Sequence, residues 1–127
     1  MKMKAVCLLA GIVGLALVAC SADEGAAGAE QGTVSSCDLG TTGGYCLDFA
    51  ANAPVGTAQA NCDNARSTVG WVGVVRATDT CPAASRVGSC ATVKAGIAIV
   101  YRYYSPMFTT DKAQVNCAGL AGQFTAN

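Results

Sequence analysis

Histidine is absent from this chain of 127 residues, and charged side chains make up only 13% of it. Without histidine there is no His-based catalytic triad, little basis for a catalytic zinc site and no Cys-x-x-Cys-His haem attachment. Cys-x-x-Cys is missing as well, so a thioredoxin-like exchange site has no sequence basis. No Gly-x-Gly-x-x-Gly or Walker-type loop occurs, and the 15 glycines are dispersed among turns. Eight basic residues balance eight acidic ones, and setting Lys2 and Lys4 aside leaves six against eight. No Lys/Arg cluster remains, which excludes a nucleic-acid footprint and a basic patch for lipid headgroups. Carboxylates at Asp38, Asp48, Asp63, Asp79 and Asp111 sit mainly beside expected turns or helix starts, where solvated or capping aspartates are ordinary. Catalysis would need two of them to converge from different elements. The reading is therefore non-enzymatic, with no cofactor and no metal; wide cysteine spacings leave zinc held by four cysteines as a minor alternative.

Only one long apolar run is present, Ala5 to Val18, preceded by Lys2 and Lys4 and followed by small, polar and acidic residues. It is shorter than the roughly 20 residues that span a bilayer, and its organisation is that of a secretion signal. Its last four residues, Leu17-Val18-Ala19-Cys20, resemble the lipobox of bacterial lipoproteins. That resemblance implies a signal peptide over residues 1–19, cleavage after Ala19, and lipid attached to Cys20 as the new N-terminus. Two or three acyl chains make a stable anchor, since each buried methylene contributes about 0.8 kcal/mol. Ser21, rather than aspartate, follows the cysteine, which by resemblance to Gram-negative sorting favours the outer membrane. An ordinary signal cut near Ala19 or Ala22 and a retained helix are the alternatives.

Residues 20–35 continue as Ser-Ala-Asp-Glu-Gly-Ala-Ala-Gly and similar small or acidic residues, too poor in apolar side chains to offset the entropy of ordering. They read as a flexible tether carrying the lipidated cysteine. Residues 36–127 form the body, small enough for one domain and too small for a generous core. It holds Cys37, Cys46, Cys62, Cys81, Cys90 and Cys117, an even count behind an export signal, which argues for three disulfides in an oxidising compartment. Cys7 leaves with the signal.

The body reads as α+β, with antiparallel hairpins and two short helices. Gly40 to Gly44 suits a turn, and Tyr45 to Phe49 alternates as a short strand with Tyr45, Leu47 and Phe49 on one face. Thr57 to Arg66 suits a helix capped by Thr57, with Ala58, Cys62 and Ala65 on one stripe. Val69 to Ala77 is expected as a strand. Arg86 to Val93 and Ile97 to Tyr104 are expected as a hairpin joined at Lys94-Ala95-Gly96. Thr109-Thr110 offers an N-cap to a helix carrying Ala113, Cys117 and Leu120, with Phe124 as a final core plug.

Two degenerate repeats are suggested, over 37–80 and 81–127. Cys37-x8-Cys46 matches Cys81-x8-Cys90, Ala58 to Cys62 matches Ala113 to Cys117, and Gly70-Trp71 has a loose counterpart in Gly122-Gln123-Phe124. Stapling each helix to the strand before it gives Cys46–Cys62 and Cys90–Cys117, leaving Cys37–Cys81. A rival scheme pairs Cys37 with Cys46 and Cys81 with Cys90.

Binding, if any, is best sought among aromatics. Tyr101 and Tyr103 project to one side of their strand and Arg102 and Tyr104 to the other, and one of these sets is expected to join Trp71 in a surface for a glycan or peptide. Half-buried spacer tyrosines are the competing explanation. The stretches Cys81 to Cys90 (CPAASRVGSC) and Tyr101 to Phe108 (YRYYSPMF) resemble small cysteine-rich bacterial lipoproteins without assigned activity. The expected function is thus a lipid-anchored envelope protein of structural or interaction type, with envelope protein or glycan as partner. A glycan- or peptide-binding module is the alternative. A protease inhibitor would need an exposed rigid loop, with Gly40 to Gly44 or Pro82 to Ser89 as candidates.

Overall fold

The structure, a computed structural model, describes residues 33–127. The proposed signal, Cys20 and most of the tether lie outside the described residues. The fold is α+β, as expected: a six-stranded, wholly antiparallel sheet with two helices and a single helical turn. In chain order the elements are β1 (Thr33–Asp38), α1 (Gly40–Gly43), β2 (Tyr45–Ala50), α2 (Thr57–Val69), β3 (Val74–Arg76), β4 (Arg86–Lys94), β5 (Ile97–Tyr104), α3 (Thr110–Gly119) and β6 (Gln123–Ala126). Across the sheet the order is β3-β1-β2-β5-β4-β6.

Several elements form where the sequence pattern put them. The β4–β5 hairpin turns at Ala95 and Gly96, both at positive φ, as a tight turn between right-twisted strands requires. The Thr109 side chain caps α3 by accepting from the Lys112 amide. Other boundaries move. Gly56, not Thr57, is the N-cap of α2, and the Thr57 hydroxyl instead donates to the Pro54 carbonyl. The helix continues to Val69 and is stopped by left-handed Gly70, so β3 shrinks to Val74–Arg76 within the expected Val69–Ala77 strand. Thr33 to Ser35, assigned to the tether, begin β1, and Phe124 packs against the core around Cys90 and Cys117 as expected, but does so from a sixth strand.

The sheet is built from two like halves. In the first, β1 lies between β2 and β3, and α2 connects those two; in the second, β4 lies between β5 and β6, and α3 connects them. One row of directly opposed residues crosses all six strands: Val75, Cys37, Leu47, Tyr101, Cys90 and Phe124. Leu47 and Tyr101 occupy equivalent places and face each other where the halves meet. The helix correspondence of the sequence repeat holds, Cys62 matching Cys117, but Cys37 corresponds to Cys90 rather than to Cys81.

Cystine pairing follows the same plan. Cys37–Cys62 ties β1 to α2, and Cys90–Cys117 ties β4 to α3, with Cα separations of 5.6 and 5.5 Å. Cys46–Cys81 completes the set at 5.8 Å. The expected Cys90–Cys117 link is present; Cys46–Cys62 and Cys37–Cys81 are replaced, because the helix reaches the central strand of its half and Cys46 points to the other sheet face.

Both helices turn small side chains to the sheet, Ala58 and Cys62 from α2 and Ala113 and Cys117 from α3. Bulk comes from the sheet side, where Leu47, Phe49 and Tyr103 are buried and each contributes roughly 1.5–3 kcal/mol. Two glycines let the chain pass tightly beside the cystines. A Cβ on Gly73 would come within 2.6 Å of the Cys62 sulfur, and one on Gly122 within 2.4 Å of the Cys90 sulfur.

Candidate functional site

Alternation along β5 sends Tyr101 and Tyr103 to the helix face, and Arg102 and Tyr104 to the opposite face. The five residues Trp71, Tyr101, Arg102, Tyr103 and Tyr104 therefore do not make one surface. On the helix face a strip of rings runs from Trp71 through Tyr45, Tyr101 and Tyr103 to Phe108, with neighbouring centroids 4.8 to 6.4 Å apart. These are aromatic-pair distances that add modestly to the area each ring buries. Tyr103 is wholly buried and its hydroxyl donates to Asn116 Oδ1 at 2.8 Å, so it belongs to the core. Burial pushes its phenol up to about 12, with Tyr101 and Tyr45 adding to the effect. The Tyr45 phenol is raised by burial and then by Tyr101. Tyr101 stays half-buried, and Lys94 both donates to its hydroxyl at 3.2 Å and lies 5.6 Å from its ring centroid.

The opposite face holds a polar cluster. Asp48 is 1% exposed and accepts from Arg102 Nε at 2.8 Å and from the Cys81 amide at 2.7 Å. Arg102 also donates to the Ser89 hydroxyl at 3.0 Å. A carboxylate in such a place is tolerated only with a counter-charge and hydrogen bonds, and it has both. Residues 77–85 cross this face in order. The Asp79 carbonyl accepts from Ser36 on β1, Cys81 bonds to Cys46 on β2, and the Pro82 carbonyl accepts from the Tyr104 hydroxyl on β5. Burial raises the Tyr104 phenol, while the neighbouring Arg86 guanidinium opposes that rise.

Cys46, Asp48 and Cys81 come close enough to resemble a ligand set for a metal. Both sulfurs are consumed in the disulfide between them, leaving one carboxylate already held by Arg102, which does not fit a metal ion.

Where β1 and β5 end, a cavity of about 220 Å³ opens between Asp38, Pro82, Ser85, Tyr104, Pro106 and Met107. Asp38 is engaged there, accepting from the Gly40 amide at 2.9 Å and facing Arg76 at 3.3 Å. Asp38 and Asp48 thus come from different strands to one sheet face, and each is matched to its own arginine, so neither is presented as a free acid or base. The two candidate inhibitor loops also meet at this cavity. Gly40 to Gly43 is a closed helical turn and Arg86 to Ser89 lies within β4, while Pro82 to Ser85 is exposed, with the Pro82 carbonyl held by Tyr104 and Arg86.

Sequence reasoning missed Tyr45 as the link between Trp71 and Tyr101, and Asp48 as the buried anion. The alternation of Tyr45-Cys46-Leu47-Asp48-Phe49 carried that signal, since it sets Asp48 beside Cys46 on the side away from Leu47. No family model, curated protein or solved structure matches this chain. Among the described residues no helix is long and apolar enough to cross a membrane.

Proposed function

We propose that this chain is a lipid-anchored cell-envelope protein, held through Cys20 at the outer membrane, whose disulfide-bonded domain works by contact and not by catalysis. The observation that carries the reading is covalent. All six cysteines after Cys20 are paired, and the three cystines pin two helices to one sheet face and the crossing segment to the other. Such links persist in oxidising compartments and are scarce in the cytosol. The lipobox-like Leu17-Val18-Ala19-Cys20 supplies the matching address and anchor.

Mass spectrometry of protein extracted unreduced from its native envelope tests this. The expected result is an N-terminal peptide beginning at Cys20 with diacyl or triacyl mass. An unmodified N-terminus beyond Cys20 overturns the anchor, and reduced body cysteines overturn the compartment.

A second reading, glycan or peptide binding, is favoured by one observation: Tyr101 is half-buried with Lys94 at its edge, next to Tyr45 and Trp71. Its surface is that strip, without Arg102, Tyr103 and Tyr104.

A further inference from the structure

Among the described residues, β2 against β5 is the one pair of strands or helices that packs extensively across the junction of the halves. Every other such pair lies within a half, and each half carries its own cystine between sheet and helix. The third cystine, Cys46–Cys81, has no counterpart. It fastens the backbone link between the halves, residues 77–85, which form no helix or strand and are exposed on either side of buried Cys81. Both halves grip that link at Cys81: its sulfur and amide are held by Cys46 and Asp48 of the first, and its carbonyl accepts from Arg86 of the second.

We propose that the two halves are exchangeable modules and that Cys46–Cys81 is the closure that confines β2 to β5 of its own chain. When two copies trade second halves, each junction re-forms with the same register, the same facing of Leu47 and Tyr101 and the same Asp48–Arg102 ion pair. A second copy is therefore the partner that matches β2 residue for residue, and reciprocal exchange closes at two. The closed and exchanged forms differ in the path of the link. With the cystine in place, the stretch from Cys81 to Arg86 reaches at most about 17 Å, short of the roughly 30 Å diameter of a small domain. Without it, the free link runs from Arg76 to Arg86 and reaches about 35 Å. The closure matters most during synthesis. The first half is made before the second and shows the bare edge of β2, with Leu47 and Phe49, to neighbouring copies, the setting in which repeated modules misassemble. Once Cys81 has joined Cys46, the residues that follow are delivered to that edge.

The test compares three full chains in detergent: the unmodified chain, Cys46→Ala/Cys81→Ala, and a chain that keeps all three cystines but carries a flexible Gly/Ser insert of about ten residues between Ala83 and Ala84, which restores the reach. Each is refolded from urea at high concentration as a one-to-one mixture of isotopically heavy and light batches. It is then cut at a protease site, placed over residues 77–80 in the first two chains and inside the insert in the third. Native mass spectrometry is expected to show the unmodified chain as a monomer of one isotope. Both altered chains are expected to give at least tenfold more dimer, which the cut converts to monomer-sized bodies that pair a heavy first half with a light second half. Batches refolded apart and pooled after the cut set the background from re-association. Monomer alone from either altered chain, dimers whose halves stay unmixed after the cut, or mixed halves from the unmodified chain overturn the proposal. Should Cys46→Ala/Cys81→Ala fail to fold, the insert chain, with its native cystines, decides alone.

Discussion

In the β1–β3 half, Leu47, Asp48 and Phe49 stand where the β4–β6 half has Tyr101, Arg102 and Tyr103. Both halves place a cystine between the central strand and the helix, and both run a glycine against that cystine. Strand register and staple are thus shared, while the side chains around them have opposite chemistry at matched places: aliphatic against phenolic, anion against cation. The matched anion and cation, Asp48 and Arg102, then form the ion pair that spans the junction of the halves. The comparison teaches that backbone geometry here is set by covalent links and register, and that side-chain identity was free to specialise each half.

The strongest way to break this equivalence is to remove one staple at a time. Closing loops of 25 and 27 residues is worth about 3.5 kcal/mol each by chain entropy. The Cys37→Ala/Cys62→Ala and Cys90→Ala/Cys117→Ala variants are therefore expected to lose nearly equal stability in urea titration. A gap above about 1 kcal/mol would show that the halves are not mechanically alike.

Next in size is the pair that joins them. Arg102→Leu strands the Asp48 carboxylate in the interior and is expected to cost about 3 kcal/mol. Adding Asp48→Asn keeps an acceptor for the Cys81 amide and removes the stranded charge, so the double variant should recover part of that loss. A double variant no more stable than the single one would rule out the uncompensated charge as the cause.

The smallest effect separates Tyr103 from its counterpart Phe49. The folded Tyr103 phenol sits near 12 against an ordinary 10, so between those values the folded chain keeps a proton that the unfolded chain releases. Its contribution is full below pH 10 and falls as pH rises through 12, by about 1 kcal/mol at pH 11. Tyr103→Phe should flatten the drop in urea midpoint between pH 8 and 11, at the expense of the Asn116 hydrogen bond at neutral pH. An unchanged drop would assign the alkaline sensitivity to Tyr45 and Tyr104.

Local patterns told most about the elements. The β-branched and aromatic run at Ile97–Tyr104 and the Thr109 cap gave β5 and the start of α3 without help from the rest of the chain. Long-range pairing was not readable. Cys37-x8-Cys46 and Cys81-x8-Cys90 share a spacing by coincidence, since Cys46 points to the sheet face opposite Cys37 and Cys81 lies in a crossing segment. Strand β6 was hidden because Gln123–Ala126 is short and gains its identity only from its ladder with β4. The aromatic site was half legible: alternation correctly separated Tyr101 and Tyr103 from Arg102 and Tyr104, but which face would be covered by helices and which by residues 77–85 is decided by topology.

That crossing segment also fixes what a protease can do to the molecule. It carries the chain from one edge of the sheet to the second half, and its cystine at Cys81 reaches back to Cys46 in the first. A cut anywhere from Ala77 to Thr80 therefore leaves Cys81 on the downstream piece still bonded to the upstream one. The nicked protein remains a single covalent body, with the first half and the second still joined through Cys46–Cys81.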